Sequence, residues 1–218
     1  MRPRPTTPYD HQRLALLALL RERGISDTAV LQAIDTVPRE HFVQAFMRNR
    51  AYDDTALPID DRQTISQPHT VAIMTQSLMV RPGAKILEIG TGSGYQAAIL
   101  AQMGARVISI ERHPRLSQQA RQRLQDLGYS VECRVGDGTI GYSGQAPYDG
   151  IIVTAGAPDV PEPLARQLVV GGHLVVPVGD HQQQTLYRVT RTDHDAWTAN
   201  ELGPAAFVPL IGVEGWDE

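Results

Sequence analysis

The stretch LEIGTGSGY, residues 87–95, runs from an apolar segment into three alternating glycines and then into helix-forming residues. A strand that enters a glycine turn and leaves it as a helix is the junction from which open α/β sheets are built. Glycine lets the backbone turn tightly and approach a ligand, and the helix N-terminus offers unpaired N–H groups. Gly90, Gly92 and Gly94 stand as G-x-G-x-G and not as the G-x-G-x-x-G of dinucleotide sites. A glycine turn alone can equally serve a tight connection that binds nothing.

The pattern around this junction repeats downstream. AKILEIG reads as a buried strand, YQAAILAQMG as a helix closed by Gly104, RVISIE as a strand, HPRLSQQARQRLQDLG as a helix closed by Gly128, and SVECRVGD as a strand. YDGIIVTAG is a fourth strand, VPEPLARQLVVGG a helix and HLVVPVG a fifth strand. Apolar strands separated by helices require right-handed crossovers and a parallel sheet covered on both faces, so the fold class is α/β, a doubly wound, mostly parallel sheet. QTLYRVTRTDHDAWTANEL reads as a C-terminal antiparallel hairpin with His194 in its turn, and Trp197 and Trp216 read as hairpin or tail packing.

Upstream, helices are expected near 10–23 and 27–36, separated by Gly24 and capped by Ser26, and VPRE interrupts with Pro38. Residues 48–68 read as loop, leading into a helix over 69–80 that stops at Pro82-Gly83. Residues 1–8, with three prolines and two arginines, read as a flexible N-terminus. Residues 9–218 read as a single domain, with a helical cap and substrate loop over 9–80 and a ligand-binding core over 81–218.

Bulk properties narrow the function. A chain of 218 residues with a net charge of −4 holds one full core and has no basic stripe, so no nucleic-acid partner is expected. The single cysteine, Cys133, cannot form an internal disulfide and reads as a buried thiol suited to a reducing cytoplasm. RLALLALLRERG has seven apolar residues between Arg13 and Arg21, far fewer than the ~20 of a membrane span, so no membrane partner is expected. The seven histidines show no metal-ligand spacing.

Three strand ends carry candidate ligand groups. Glu111 closes the second strand, 17 residues beyond Gly94, where such sheets present a carboxylate to the ribose of a nucleoside; it could also be a solvated strand end or a partner of Arg112. Asp137 and Gly138 follow the third strand, where a carboxylate and backbone N–H can read an adenine, although Asp-Gly is also an ordinary turn. Thr154, at the fourth strand end, faces the same crevice or packs beneath it. Adenosine is the shared implication, and both NAD and S-adenosyl-L-methionine carry it. In RQTISQPHT, residues 62–70, Ser66 could be a nucleophile, a helix cap or a group that holds a substrate. A nucleophile needs a base; Pro68 before His69 and the absence of a G-x-S-x-G turn argue against one.

RQTISQPHTVAIMT, ILEIGTGSGYQAAILA, VISIER, VGDGTIGYSGQAPYDGIIVTAGAPDVP, LVVGGHLVVPVG and FVPLIG, with VPREHFV upstream, resemble in order the successive motifs of the protein-L-isoaspartate O-methyltransferase family. The resemblance covers about residues 30–212 and implies a Rossmann-like methyltransferase with S-adenosyl-L-methionine (AdoMet) as cofactor. The implied activity is repair: methylation of the α-carboxyl of L-isoaspartyl residues in damaged proteins and peptides, which are the expected partners of a monomeric cytoplasmic enzyme. It further implies that Ser66 is the catalytic residue and that Thr64, Ile65, Ser66 and Gln67 border the substrate. The same likeness gives the methionine part of the cofactor to Gly90, Thr91, Gly92, Ser93 and Gly94, the ribose to Glu111 and the adenine to Asp137-Gly138. Two positions depart from the pattern: Gly156 stands where many relatives have alanine, and Ile211 where animal-type members carry a polar residue.

Overall fold

The computed structural model describes residues 7–217. Helices α1 (Asp10–Glu22) and α2 (Thr28–Thr36) pack through Leu16, Leu17 and Leu20 on the first and Val30, Leu31 and Ile34 on the second. The cap of α2 is Asp27 and not the expected Ser26: the Asp27 carboxylate accepts from the N–H groups of Ala29 and Val30 at 2.8 and 3.3 Å. Ser26 gives its own N–H to the Gln76 side chain instead. Thr7, within the stretch expected to be loose, donates to the Asp10 carboxylate through its backbone and its hydroxyl, while residues 1–6 lie outside the described residues.

The segment expected as loop has structure of its own. A 3₁₀ turn at Arg39–His41 precedes it, another at Ala45–Arg50 runs into its start, and within it an antiparallel pair of β1 (Leu57–Pro58) with β2 (Thr64–Ile65) leads into α3 (Pro68–Leu78). Short strands with only Leu57 and Ile65 buried leave no periodic signal in the sequence. The expected end of α3 at residue 80 is two residues late, because Met79 turns into the left-handed region with φ 56°.

The core then alternates as expected: β3 (Lys85–Ile89), α4 (Tyr95–Gln102), β4 (Arg106–Glu111), α5 (Pro114–Asp126), β5 (Val131–Val135), β6 (Tyr148–Val153), α6 (Glu162–Arg166) and β7 (Leu168–Gly179). The helix expected over 160–172 shrinks to five residues, because the Leu168-Val169-Val170 run, with its two β-branched valines, joins β7 with an irregular register opposite Tyr148–Gly150. The hairpin of β8 (Gln184–Asp193) and β9 (Ala196–Ala205) completes a seven-stranded sheet in the order β5-β4-β3-β6-β7-β8-β9. The β3–β4, β4–β5, β3–β6 and β6–β7 pairs are parallel, and β7–β8 and β8–β9 antiparallel.

Side chains alternate across this sheet with period two. Ile86, Val107, Ile152 and Val175 point into a cluster shared with α3, α4 and the cap helices, and Leu87, Ile108, Ile151 and Leu174 into a cluster with Leu164 of α6. The chain leaves β3 for β4 and β5 on one side and returns to β6 on the other, so the carboxyl ends of β3, β4 and β6 frame a switch-point crevice.

Candidate active site

The crevice is a cavity of about 180 Å³ lined by Gln63, Thr64, Ile89, Gly90, Gly92, Ile110, Glu111, Arg112, His113, Gly138, Thr154, Ala155 and Val208–Ile211. A larger depression, about 620 Å³, lies at the opposite end of the sheet beside Met79–Ala84 and Val169–His173, where neither the glycine loop nor any of the strand-end acids reaches it.

The glycine loop owes its shape to positive φ at Gly90, Gly92 and Gly94, 95°, 51° and 87°. At Gly90 a Cβ would also stand 2.5 Å from the Thr154 hydroxyl. Gly90 and Gly92 border the cavity, whereas Gly94 faces Ala120 and Leu124 of α5 and serves helix packing. Thr91 and Ser93 turn away from the cavity: Thr91 bonds Ser109 beneath the loop at 2.5 Å, and the Ser93 hydroxyl accepts from the Tyr95 N–H at 3.2 Å, capping the start of α4.

Glu111 lies where the sequence placed it, in the cavity wall and 5 % exposed. One carboxylate oxygen accepts from the Gly92 N–H at 2.9 Å and the other from the His113 N–H at 3.0 Å. A carboxylate has about four lone-pair sites, so these two bonds fix its orientation and leave acceptors for a diol.

Asp137 is placed differently. Its carboxylate accepts from the N–H and hydroxyl of Thr139 at 2.8 and 2.7 Å and from the Val213 N–H at 2.9 Å, and only its neighbour Gly138 borders the cavity. Burial opposes its ionisation, but the bonds from Val213 and Thr139 outweigh that and hold the carboxyl below its ordinary value. Asp137 therefore ties the C-terminal segment to the end of β5. Thr154 borders the cavity, yet its hydroxyl is directed at the carbonyls of Gly90 and Ile89, 2.6 and 3.0 Å away.

On the opposite rim, Thr64 lines the cavity and Ile65 is buried in the core. The cap reading of Ser66 is excluded, because the side chain at the N-terminus of α3 is that of Asp54. Its carboxylate accepts from the His69 N–H at 2.8 Å and from the Gln67 side-chain amide at 3.0 Å, and pairs with Arg23 at 2.5 Å. The Ser66 carbonyl accepts from Arg39 at 2.9 Å, while its hydroxyl has no hydrogen-bond partner among the described residues. His69 Nε2 is buried without a hydrogen-bond partner among the described residues, so it makes no bond to the Ser66 hydroxyl.

Sequence reasoning missed two features. Glu88, in the middle of β3, is fully buried; it accepts from Ser109, which also bonds Thr91, and burial pushes its carboxyl up to about 8. An acid inside an otherwise apolar strand was the available signal. The second is the C-terminal wall, where Gly156 exchanges backbone bonds with Val208 and Leu210 and accepts from the Trp216 indole N–H at 3.0 Å. A Cβ on Gly156 would come to 3.0 Å from the Gln184 side-chain amide carbon, so alanine there requires that side chain to shift by a few tenths of an ångström. Among the described residues no three His, Cys, Asp or Glu are grouped to hold a metal ion, and no helix is long and apolar enough to cross a membrane.

Comparison with known proteins bears on this geometry. The family model described as Protein-L-isoaspartate(D-aspartate) O-methyltransferase matches residues 11–215. The chain is 55 % identical to a protein-L-isoaspartate O-methyltransferase 2 from Pelobacter propionicus, over 90 % of this chain and 88 % of that protein. It is 52 % identical to one from Salinibacter ruber, over 96 % and 95 %. Among solved structures, a protein-L-isoaspartate O-methyltransferase superposes with a TM-score of 0.84 at 29 % identity, over 93 % of this chain and 67 % of that one. A Plasmodium falciparum chain described as the same kind of enzyme, in complex with S-adenosyl-L-homocysteine, gives 0.79 at 26 % identity, over 90 % and 97 %.

Proposed function

The chain belongs to the protein-L-isoaspartate(D-aspartate) O-methyltransferase family, and from that premise we propose how its own residues carry the reaction. It is an AdoMet-dependent methyltransferase that esterifies the α-carboxyl of L-isoaspartyl residues in damaged proteins and peptides. The observation that carries this reading is the match over residues 11–215, whose motifs converge on one crevice at the carboxyl ends of β3, β4 and β6.

The residues fit the cofactor. Gly90 and Gly92 border the cavity with the positive φ that shapes a backbone cradle, a Cβ at Gly90 would strike the Thr154 hydroxyl, and Glu111 presents oriented acceptors for the ribose hydroxyls. Gly138 and Val208–Ile211 flank the place of the adenine, with Thr154 supporting the loop from below. Bound AdoMet supplies an electrophilic methyl group on a sulfonium. The acceptor, a free α-carboxyl with a pKa of about 3.5, is already ionised at neutral pH, so the chain needs no general base. What remains is to hold the acceptor oxygen in line and keep water out. Ser66 stands two residues beyond cavity-lining Thr64 and outside the lining itself; with a hydroxyl uncommitted among the described residues it is the donor we assign to the acceptor carboxylate, and Gln67 braces it through Asp54. Positioning of this kind corresponds to effective molarities of about 10⁵ M or more.

We assign residues 9–218 to one methyltransferase domain, with 9–80 as cap and substrate loop and 81–218 as cofactor core. A monomeric cytoplasmic enzyme without a nucleic-acid partner is the reading supported by the buried lone thiol and the net charge of −4.

The test is methylation of an isoaspartyl peptide, with an ordinary aspartyl peptide as control. Wild type should form a base-labile methyl ester on the first only. Ser66→Ala should lower kcat about 10- to 100-fold with little change in the AdoMet KM, and Glu111→Ala should mainly raise that KM. Tight AdoMet binding without ester formation would overturn the activity, and equal KM effects in the two variants would overturn the division of roles.

A further inference from the structure

We infer that Arg39 is a positioning residue for methyl transfer, its buried guanidinium setting the distance between the substrate segment at Ser66 and the cofactor loop at Tyr95. The inference rests on the reading of Ser66 as the carboxylate guide.

Arg39 is 0 % exposed. Its Nε donates to the Ala51 carbonyl at 2.8 Å and its Nη2 to the Ser66 carbonyl at 2.9 Å. Its Cζ lies 4.7 Å from the centroid of the Tyr95 ring, and Tyr95 is the first residue of α4, directly after Gly94. One planar group thus touches the segment bearing Ser66 on one edge and the helix that follows the glycine loop on its face.

Filling volume does not by itself call for a guanidinium, although the Ala51 and Ser66 carbonyls take their donors from it. Burying a guanidinium costs several kcal/mol unless it is well partnered, and Nη1 is buried here without a hydrogen-bond partner among the described residues. The groups that favour its charge are Tyr95, Tyr52 and Asp54. A leucine or methionine would fill much of the same volume without that cost. What an apolar residue lacks is the rigid fork, which holds two carbonyls at a fixed spacing, and the flat face that stacks on a ring.

The consequence falls on Ser66. Its carbonyl is held by Arg39, and Gln67 and His69 just beyond it are held by Asp54 through the Gln67 side-chain amide and the His69 N–H. With the backbone clamped on both sides, the hydroxyl is aimed without being consumed. Misplacement by about 1 Å in a displacement that must be in line can cost about 100-fold.

The experiment compares wild type, Arg39→Lys, Ser66→Ala and the double variant in steady-state peptide methylation, with AdoMet Kd from calorimetry and a thermal melt for each. Lysine keeps the charge and the stem but loses the fork. The expected result is a kcat about 10- to 100-fold down for Arg39→Lys, with AdoMet Kd and peptide KM within about 3-fold of wild type. The double variant should be no slower than the slower single variant, because both act on one placement. Wild-type kcat in Arg39→Lys, or losses that multiply in the double variant, would overturn the inference. A slow Ser66→Ala beside a normal Arg39→Lys sinks Arg39 alone, and the reverse sinks the Ser66 reading and with it the positioning role given to Arg39. Should Arg39→Lys not fold, Arg39→Gln removes the buried charge while keeping an amide donor; the same kcat loss supports the inference, and wild-type kcat overturns it.

Discussion

Glu88 shows how a single buried group can set a pH dependence. Its carboxyl has an ordinary value of 4.5 and is pushed up to about 8, first by burial, with repulsion from Glu111 adding to it. The folded state therefore keeps a proton that the unfolded state has lost between these values. Stability from this group is fully present below pH 4.5 and is lost as pH rises through about 8. The slope within the window is on the order of 1 kcal/mol per pH unit. Glu88→Gln should flatten that part of the profile, as measured by urea denaturation at a series of pH values; an unchanged slope would show that Glu88 is ionised in the folded protein. Its place below Thr91 and Ser109 means that the same substitution tests the floor of the glycine loop.

At the level of elements, α3 shows capping across the chain. Its own N-cap, Gln67, makes no side-chain bond to the first turn, and Asp54, 15 residues before His69, does so instead. The side chain of Asp54 is only 6 % exposed and also pairs with Arg23 at the end of α1, so one carboxylate joins the cap helices to the substrate segment. Asp54→Ala should destabilise the protein by about 1–2 kcal/mol in chemical denaturation. It should also lower kcat for peptide methylation, because the Ser66 backbone loses one of its two clamps. Asp54→Asn, which retains an acceptor for the His69 N–H, should recover most of the stability; failure to do so would place the effect in the ion pair with Arg23. Ser66 looked like a cap in the sequence because it stands just before a helix, and spacing along the chain carries no information about a carboxylate that folds back from residue 54.

For the whole molecule, the decisive feature is that the chain returns to its own site. After β9 it runs back across the end of β6, where Gly156 pairs with Val208 and Leu210. It is then pinned by Asp137 at Val213, by Thr139 at Glu214 and by the Trp216 indole at Gly156. Val208–Ile211 form one wall of the cavity, so the residues closing the crevice lie more than a hundred positions from the loop that opens it. Ending the chain after Phe207 should leave the sheet intact by circular dichroism. It should weaken AdoMet binding by at least about tenfold in calorimetry, since burial of apolar groups contributes about 0.8 kcal/mol per CH₂ and tenfold corresponds to 1.4 kcal/mol. Undiminished affinity in that truncation would assign the wall no part in binding.

The sequence by itself determined the doubly wound sheet, its C-terminal hairpin and the positions of Gly90, Gly92 and Glu111, because apolar periodicity, glycine turns and strand ends are local properties. It also carried the family, through motifs preserved in order. Tertiary structure alone decided which side chains were already committed. Asp137 is taken up by Val213, Thr154 by the glycine-loop carbonyls and Asp54 by α3, while the Ser66 hydroxyl was left without a partner among the described residues. Those choices depend on which distant backbone N–H or carbonyl arrives within about 3 Å, and that is fixed by the packing of the cap and the returning C-terminus, not by residue type or spacing.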